Sequence, residues 1–144
     1  MASIHRDVEL AASADFVWDA LRDVGAPHVR VARGFVTATV TEPGERTVTF
    51  ANGLTARELV VELCDERRRL AYSIVGGRAL HHNASFEVQP LDAARCRVRW
   101  TTDVLPDDMR EPFARMIEAG IAAMRQTLET DYAAAGARSV VAAD

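Results

Sequence analysis

The sequence predicts an α+β domain in which a curved, seven-stranded antiparallel sheet wraps around one long C-terminal helix, with one or two short helices after the first strand. Three observations carry this expectation. Between Phe35 and Leu105, six segments rich in Val, Thr, Phe and Tyr alternate with period two, as strands half-buried on one face do. The breaks between those segments are short, which makes sequence neighbours antiparallel neighbours in space. Finally, Phe113, Met116, Ile117, Gly120, Ile121, Met124, Leu128 and Tyr132 recur at steps of three and four across Pro112–Tyr132, the period of one helix face. A sheet and a long amphipathic helix must cover each other's apolar surfaces, because neither is stable alone in water.

Taken in order, Ile4, Val8 and Leu10 mark a first extended segment that ends at Ser13. Ser13 is a good N-cap, and Asp15 places a negative charge in the first turn of the helix that follows. Val17, Ala20, Leu21 and Val24 give that helix its apolar face, Trp18 flanks it, and Gly25 and Pro27 end it. Residues 26–33 have no clear period; a second short helix fits before Gly34. The six strands are then Phe35–Thr41, Thr47–Ala51, Thr55–Cys64, Leu70–Val75, Ala84–Gln89 and Cys96–Leu105. Pro43-Gly44, Asn52-Gly53, Asp65 to Arg68, Gly76-Gly77 and Pro90 to Ala94 supply the turns. The whole reads as one domain over residues 1–144, with a core of about 3–132. Gly136 is expected to stop the last helix, and residues 133–144 to fray.

Net charge is −4, and all 17 basic residues are arginine. The one basic run, Arg67-Arg68-Arg69, follows Asp65 and Glu66 in a turn, so a nucleic-acid surface is not expected. No membrane span or signal-like apolar segment is expected, which makes a cytoplasmic location the default. Cys64 and Cys96 fall on separated strands and are expected to stay unpaired. His81 and His82 are adjacent and would point to opposite faces in an extended segment, without a partner at ligand spacing, so no metal is expected. Neither a nucleophile motif nor a phosphate loop is present, and no cofactor is implied.

Strand phase assigns the concave wall. Val98, Trp100, Thr102 and Val104 share one face, Leu70, Tyr72 and Ile74 another, and Ala84, Phe86 and Val88 a third. In Thr55–Cys64 the phase is ambiguous: Leu59, Val61 and Leu63 argue for odd positions inward, which would expose Glu58 and Glu62. The helix contributes Phe113, Met116, Ile117, Gly120 and Met124, a soft stripe of Met and Gly suited to a cavity, with Gly120 leaving unfilled space.

Four stretches resemble the helix-grip superfamily of START lipid-transfer domains, pollen-allergen proteins, abscisic-acid receptors and small bacterial polyketide cyclase/dehydrase-type proteins. They are Ala14-Asp15-Phe16-Val17-Trp18-Asp19-Ala20-Leu21-Arg22-Asp23, Arg57-Glu58-Leu59 with Leu70-Ala71-Tyr72-Ser73-Ile74-Val75-Gly76-Gly77, and Val98-Arg99-Trp100-Thr101. The resemblance implies a cavity for a hydrophobic small molecule, puts Glu58 inside it, and likens Asn52-Gly53-Leu54 and Arg78–His82 to a gate and a latch. A β-bulge near Val60 would reconcile that placement of Glu58 with the odd-phase pattern. The receptors' gate proline is Thr55 here, and Ala79-Leu80-His81 departs from their latch, so hormone recognition does not carry over.

The polar groups with access to such a cavity are Glu58, Tyr72, His82, Trp100, Thr102 and Arg57. Two functions fit. One is a carrier or sensor of an apolar lipid, polyketide or aromatic metabolite, as a monomer or homodimer. The alternative is a polyketide cyclase or dehydratase in which Glu58, His82 and Tyr72 move protons. Convergence of Glu58 and His82 in one pocket would favour the enzyme.

Overall fold

The computed structural model describes residues 2–143, with side-chain detail for 2–138. Strand β1 (Ala2–Leu10) leads into helix α1 (Ala14–Leu21) and the single turn α2 (Pro27–Arg30). Six strands follow: β2 (Val36–Glu42), β3 (Glu45–Phe50), β4 (Thr55–Cys64), β5 (Arg69–Val75), β6 (His81–Asp92) and β7 (Arg95–Leu105). A short 3-10 turn then opens the long helix α3 (Arg110–Ala143). The strands form one antiparallel sheet in the order β1-β7-β6-β5-β4-β3-β2, and α3 lies in its concavity: this is the helix-grip fold.

Ser13 caps α1 as its chemistry dictates, its hydroxyl accepting from the Phe16 N–H at 3.2 Å. Ala14, Val17, Ala20 and Leu21 are buried on the inner face of α1. On its flank, Trp18 donates its indole N–H to Asp65 at 2.9 Å, and the Arg22 guanidinium joins the same carboxylate at 2.8 Å. Arg68 reaches back to Asp15, so the arginine-rich β4–β5 turn is pinned to α1. On the convex face Asp7 pairs with Arg99, while Arg69 lies between Glu62 and Glu87, whose strand partner is Arg99. Opposite charges thus follow one another across five strands, which keeps that face wet.

Several boundaries differ from the sequence expectation. Strand β3 starts two residues earlier, at Glu45, which brings Arg46 into phase with Val48 and Phe50 on the concave side. Strand β6 starts at His81, because His81, His82 and Asn83 pair with Leu105, Val104 and Asp103 of β7. Helix α3 does not stop at Gly136 and runs on to Ala143; the alanines flanking Gly136 tolerate its helix penalty of about 1 kcal/mol. Residue 144 and the side chains beyond 138 lie outside the described residues, so the expected fraying is not addressed there.

In β4 the register with β5 slips between Val60 and Glu62. Ala56 and Glu58 therefore face the helix while Val61 stands 61% exposed, and beyond the slip Leu63 pairs with buried Leu70. The bulge lets one strand satisfy both phases and bends the sheet where it curls around the helix.

Helix α3 is supported near its start and around its midpoint. Towards its start, Phe113 packs against the cluster of Ala2, Val104 and Met109. Towards its C-terminal half, the Thr127 hydroxyl accepts from the Arg33 N–H at 3.0 Å, the Asp131 carboxylate receives both Arg33 Nη atoms, and Glu129 accepts from the Ala11 N–H at 2.7 Å. Between those supports Met116, Gly120 and Met124 face the sheet across a cavity.

Candidate functional site

The cavity lies between α3 and the concave face of β2 to β7. The space open to the centre of a water-sized sphere is about 70 Å³. Helix α3 supplies Met116, Gly120 and Met124, and the sheet supplies Val36, Val48, Phe50, Leu70, Ile74 and Phe86. The remaining wall comes from α1 and the α2 connection through Leu21, Pro27, Val31, Ala32 and Phe35. Its polar members are Arg46, Glu58, Tyr72 and Trp100.

Arg46 and Glu58 face each other across β3 and β4 as a strand pair. Arg46 Nε donates to Glu58 Oε1 at 2.8 Å, and Arg46 Nη1 donates to the Val24 carbonyl at 3.2 Å. The guanidinium also lies 5.7 Å from the Tyr72 ring centre, a cation–π arrangement. Glu58 is only 5% exposed. Burial pushes its carboxyl above the usual carboxylate range, and the Arg46 charge and hydrogen bond oppose that push without overcoming it. Burial likewise raises the Tyr72 phenol, and the Glu58 charge adds to the effect. The phenol therefore stays protonated and can donate.

Trp100 stacks on Phe86 at 4.6 Å between ring centres, and Phe86 continues to Tyr72 at 5.9 Å. The benzo edge of the indole abuts Gly120. A Cβ at that glycine would meet Trp100 Cη2 at 3.0 Å and Phe35 Cε1 at 3.2 Å. Gly120 does face the cavity, but the space beside it is filled by two rings, contrary to the expectation of unfilled room. At the other edge of the indole, Trp100 Nε1 is buried with no hydrogen-bond partner among the described residues. It is directed towards the Tyr72 phenol, whose pKa it lowers as a donor would, without reaching hydrogen-bond geometry.

Of the residues singled out in the sequence, Glu58, Tyr72, Ile74, Phe86, Trp100, Met116, Gly120 and Met124 line this space. Ala84 and Thr102 are buried on the concave face but pair with each other one step nearer Val104, where Phe113 and the Ala2–Met109 cluster occupy the gap. Ile117 is buried in the main core. His82 is buried too, but does not meet Glu58. It sits between Tyr72 and Phe113, with ring centres at 5.8 and 5.4 Å, and its Nδ1 accepts from the Ile74 N–H at 3.0 Å.

That bond replaces a backbone rung: β5 and β6 pair directly only as far as Tyr72 and Ala84, after which the His82 ring and the Ser73 hydroxyl bridge the strands. Burial, with the neighbouring His81 charge, lowers the His82 pKa to about 4, so the ring is neutral and its Nε2 carries the proton. The His82 ring thus bridges β5 and β6 and lies outside the cavity lining that holds Glu58. Arg57, also weighed for the cavity, points outward and pairs with Glu45. The expected gate, Asn52–Leu54, forms the β3–β4 turn, and Leu80 in the expected latch is 85% exposed.

Arg46 is the polar residue of the cavity wall that sequence reasoning missed. Its signal was present: Arg46, Val48 and Phe50 share a phase that the turn at Pro43-Gly44 obscured. Among the described residues no group of three or more His, Cys, Asp or Glu could hold a metal ion, and no helix is long and apolar enough to cross a membrane.

Comparison with known proteins supports the geometry. A protein from Thermobifida fusca is 27% identical in sequence, with a TM-score of 0.72 over 92% of this chain and 93% of its own. A START superfamily protein from Mycobacterium smegmatis superposes with a TM-score of 0.72 at 14% identity, over 89% of this chain and 97% of its own. The di-domain ARO/CYC BexL of the BE-7585A biosynthetic pathway matches with a TM-score of 0.75 at 19% identity, over 90% of this chain and 47% of its own. No curated protein matches the chain. A family model described as polyketide cyclase/dehydrase and lipid transport matches residues 1–129. With the helix gripped by a curled sheet and a largely apolar cavity between them, the chain belongs to the polyketide cyclase/dehydrase and lipid transport family.

Proposed function

We propose that the chain binds a hydrophobic small molecule, a lipid, polyketide or aromatic metabolite, in the cavity between α3 and the sheet. The observation that carries this reading is the wall itself. Apolar side chains from α1, α2, five strands and α3 converge on one space, and the formal charges within it cancel between Arg46 and Glu58. The test uses a Trp18→Phe variant, which leaves Trp100 as the single tryptophan. Titration with neutral naphthalene derivatives and with a long-chain fatty alcohol should change Trp100 emission saturably, and calorimetry should give the same affinity. Absence of both signals across these compounds would sink the binding reading.

A second reading, catalysis of cyclisation or dehydration, is favoured by Arg46, Glu58 and Tyr72 meeting at one end of the cavity. A carboxylate desolvated in this way takes a proton α to a ligand carbonyl, and a guanidinium beside it stabilises the enolate that forms. In dehydration the same proton leaves with the β-hydroxyl as water. The check is deuterium uptake at the α-carbon of a bound aryl methyl ketone in heavy water. Wild-type protein should accelerate it at least about a hundredfold over Glu58→Gln, the low end for a lost general base. Equal rates would leave a binding protein only.

A further inference from the structure

We propose that the indole N–H of Trp100 is the anchoring donor of this cavity, and that its ligand is a flat aromatic molecule bearing a neutral acceptor oxygen, an aryl ketone or quinone. The inference rests on the binding reading above and gives that reading a ligand chemistry.

Its starting point is an orphan. Trp100 is 8% exposed, and its Nε1 is sealed from solvent without a hydrogen-bond partner among the described residues. The other tryptophan of the chain, Trp18, donates its N–H to Asp65 at 2.9 Å. A buried indole N–H is normally bonded, since leaving it bare forfeits a hydrogen bond it would make in water. Here the bare donor belongs to a residue in the cavity wall, on the side towards Tyr72. An acceptor delivered by a ligand would satisfy it. The indole breaks no hydrogen bond of its N–H in turning to meet one, and its opposite edge rests on a glycine.

The charge and shape of the partner follow from the same wall. Arg46 and Glu58 already neutralise each other, so a carboxylate or ammonium on the ligand would be buried without a counter-charge. The acceptor is therefore neutral. The rings of Phe35, Phe50, Tyr72, Phe86 and Trp100 stand around the space, and such faces suit a planar π-system better than a flexible alkyl chain.

The test compares three compounds of one frame by calorimetry: 2-acetylnaphthalene, its near-isostere 2-isopropylnaphthalene, and 2-naphthoate. Water expels the hydrocarbon more strongly than the ketone, so apolar burial alone would favour the hydrocarbon. The proposal expects the ketone to bind about tenfold tighter, the size of one well-made hydrogen bond. It also expects naphthoate to bind at least about tenfold more weakly than the ketone. Trp100→Phe, which keeps a ring and removes the donor, should bring ketone and hydrocarbon to within about threefold, since one neutral bond is at stake.

Should that variant fail to fold, the wild-type protein carries the test through the indole N–H resonance, with Trp18→Phe assigning Trp100. This resonance should move downfield with the ketone and stay in place with the hydrocarbon. Equal or tighter binding of the hydrocarbon would overturn the proposal and leave the binding reading standing. So would a ketone preference unchanged in folded Trp100→Phe, or an indole resonance indifferent to the ketone. Failure of all three compounds together with the fatty alcohol would remove the binding reading, and the proposal with it.

Discussion

Glu58 and Arg46 are unequal halves of their ion pair. A guanidinium cannot shed its charge inside a protein, whereas a carboxyl can take up a proton, and burial already pushes Glu58 that way. Glu58→Gln strands a buried cation and should cost about 3–5 kcal/mol in a denaturant melt. Arg46→Met should cost less at low pH, because Glu58 then becomes neutral. Its folded pKa would stand well above the unfolded value of 4.5. The stability of Arg46→Met relative to wild type should therefore be greatest in acid and fall as pH rises through the folded value of Glu58. Melts of both variants at pH 5 and pH 8 check the order and the slope.

His82 gives the opposite sign. Its pKa drops from 6.5 to about 4 on folding, so between those values the unfolded chain binds more protons. Stability from His82 is complete above pH 6.5 and drains away as pH falls towards 4. The loss comes before that of surface carboxylates held below 3.8, such as Asp7, Asp65 and Asp131. A His82→Gln variant, melted at intervals from pH 7.5 to 4.5, should show a flatter profile than wild type. Parallel profiles would show that burial does not lower the His82 pKa on folding.

At the scale of elements, the stretch of α3 between its two supports should be least protected near Gly120. Glycine weakens a helix by about 1 kcal/mol relative to alanine, and Gly120 sits over the cavity between the Phe113 and Thr127 supports. Amides of residues 119–123 should exchange faster than those of 126–130, and should slow when an apolar compound is bound. Gly120→Ala regains helix propensity but presses on Trp100 and Phe35, which can yield into the cavity behind them. Its melt should move by less than about 1 kcal/mol, because the two effects oppose. Its affinity for an aromatic probe should fall several-fold. Unchanged affinity would mean that the rings give way elsewhere.

The legible part of the fold was the part with a period. Alternation between Phe35 and Leu105, and the three-and-four step after Pro112, set out the sheet and its helix, and most of the cavity wall that they carry. What stayed hidden lacked a period or was cut short by a turn. Residues 26–35 form one helical turn and a loop, yet Pro27, Val31, Ala32 and Phe35 close one side of the cavity through tertiary packing alone. Arg46 stood too near Pro43-Gly44 to read as strand. His82 could be placed on a face but not given a partner, because its bond to Ile74 depends on β5 and β6 parting after Tyr72.

The whole molecule presents two unlike surfaces. The convex face is a lattice of opposite charges from Asp7 to Glu62, and the concave face is dry apart from one ion pair. Changes in salt should therefore act on the outside and leave the cavity alone. Raising ionic strength should shift the melt slightly while probe affinity changes less than about twofold, since exposed pairs are screened and buried ones are not.

The two supports of α3 decide how the molecule makes room. A rod clamped at one end swings like a door, but a beam resting on two piers bows. With Phe113 on one pier and Thr127 and Asp131 on the other, and the exposed Arg6–Glu118 pair between them, a guest held against Met116 and Met124 is expected to lift the span and leave the two supports in place. The deflection a beam tolerates grows with its length between piers. The stretch expected to bow here is the four turns from Phe113 to Thr127.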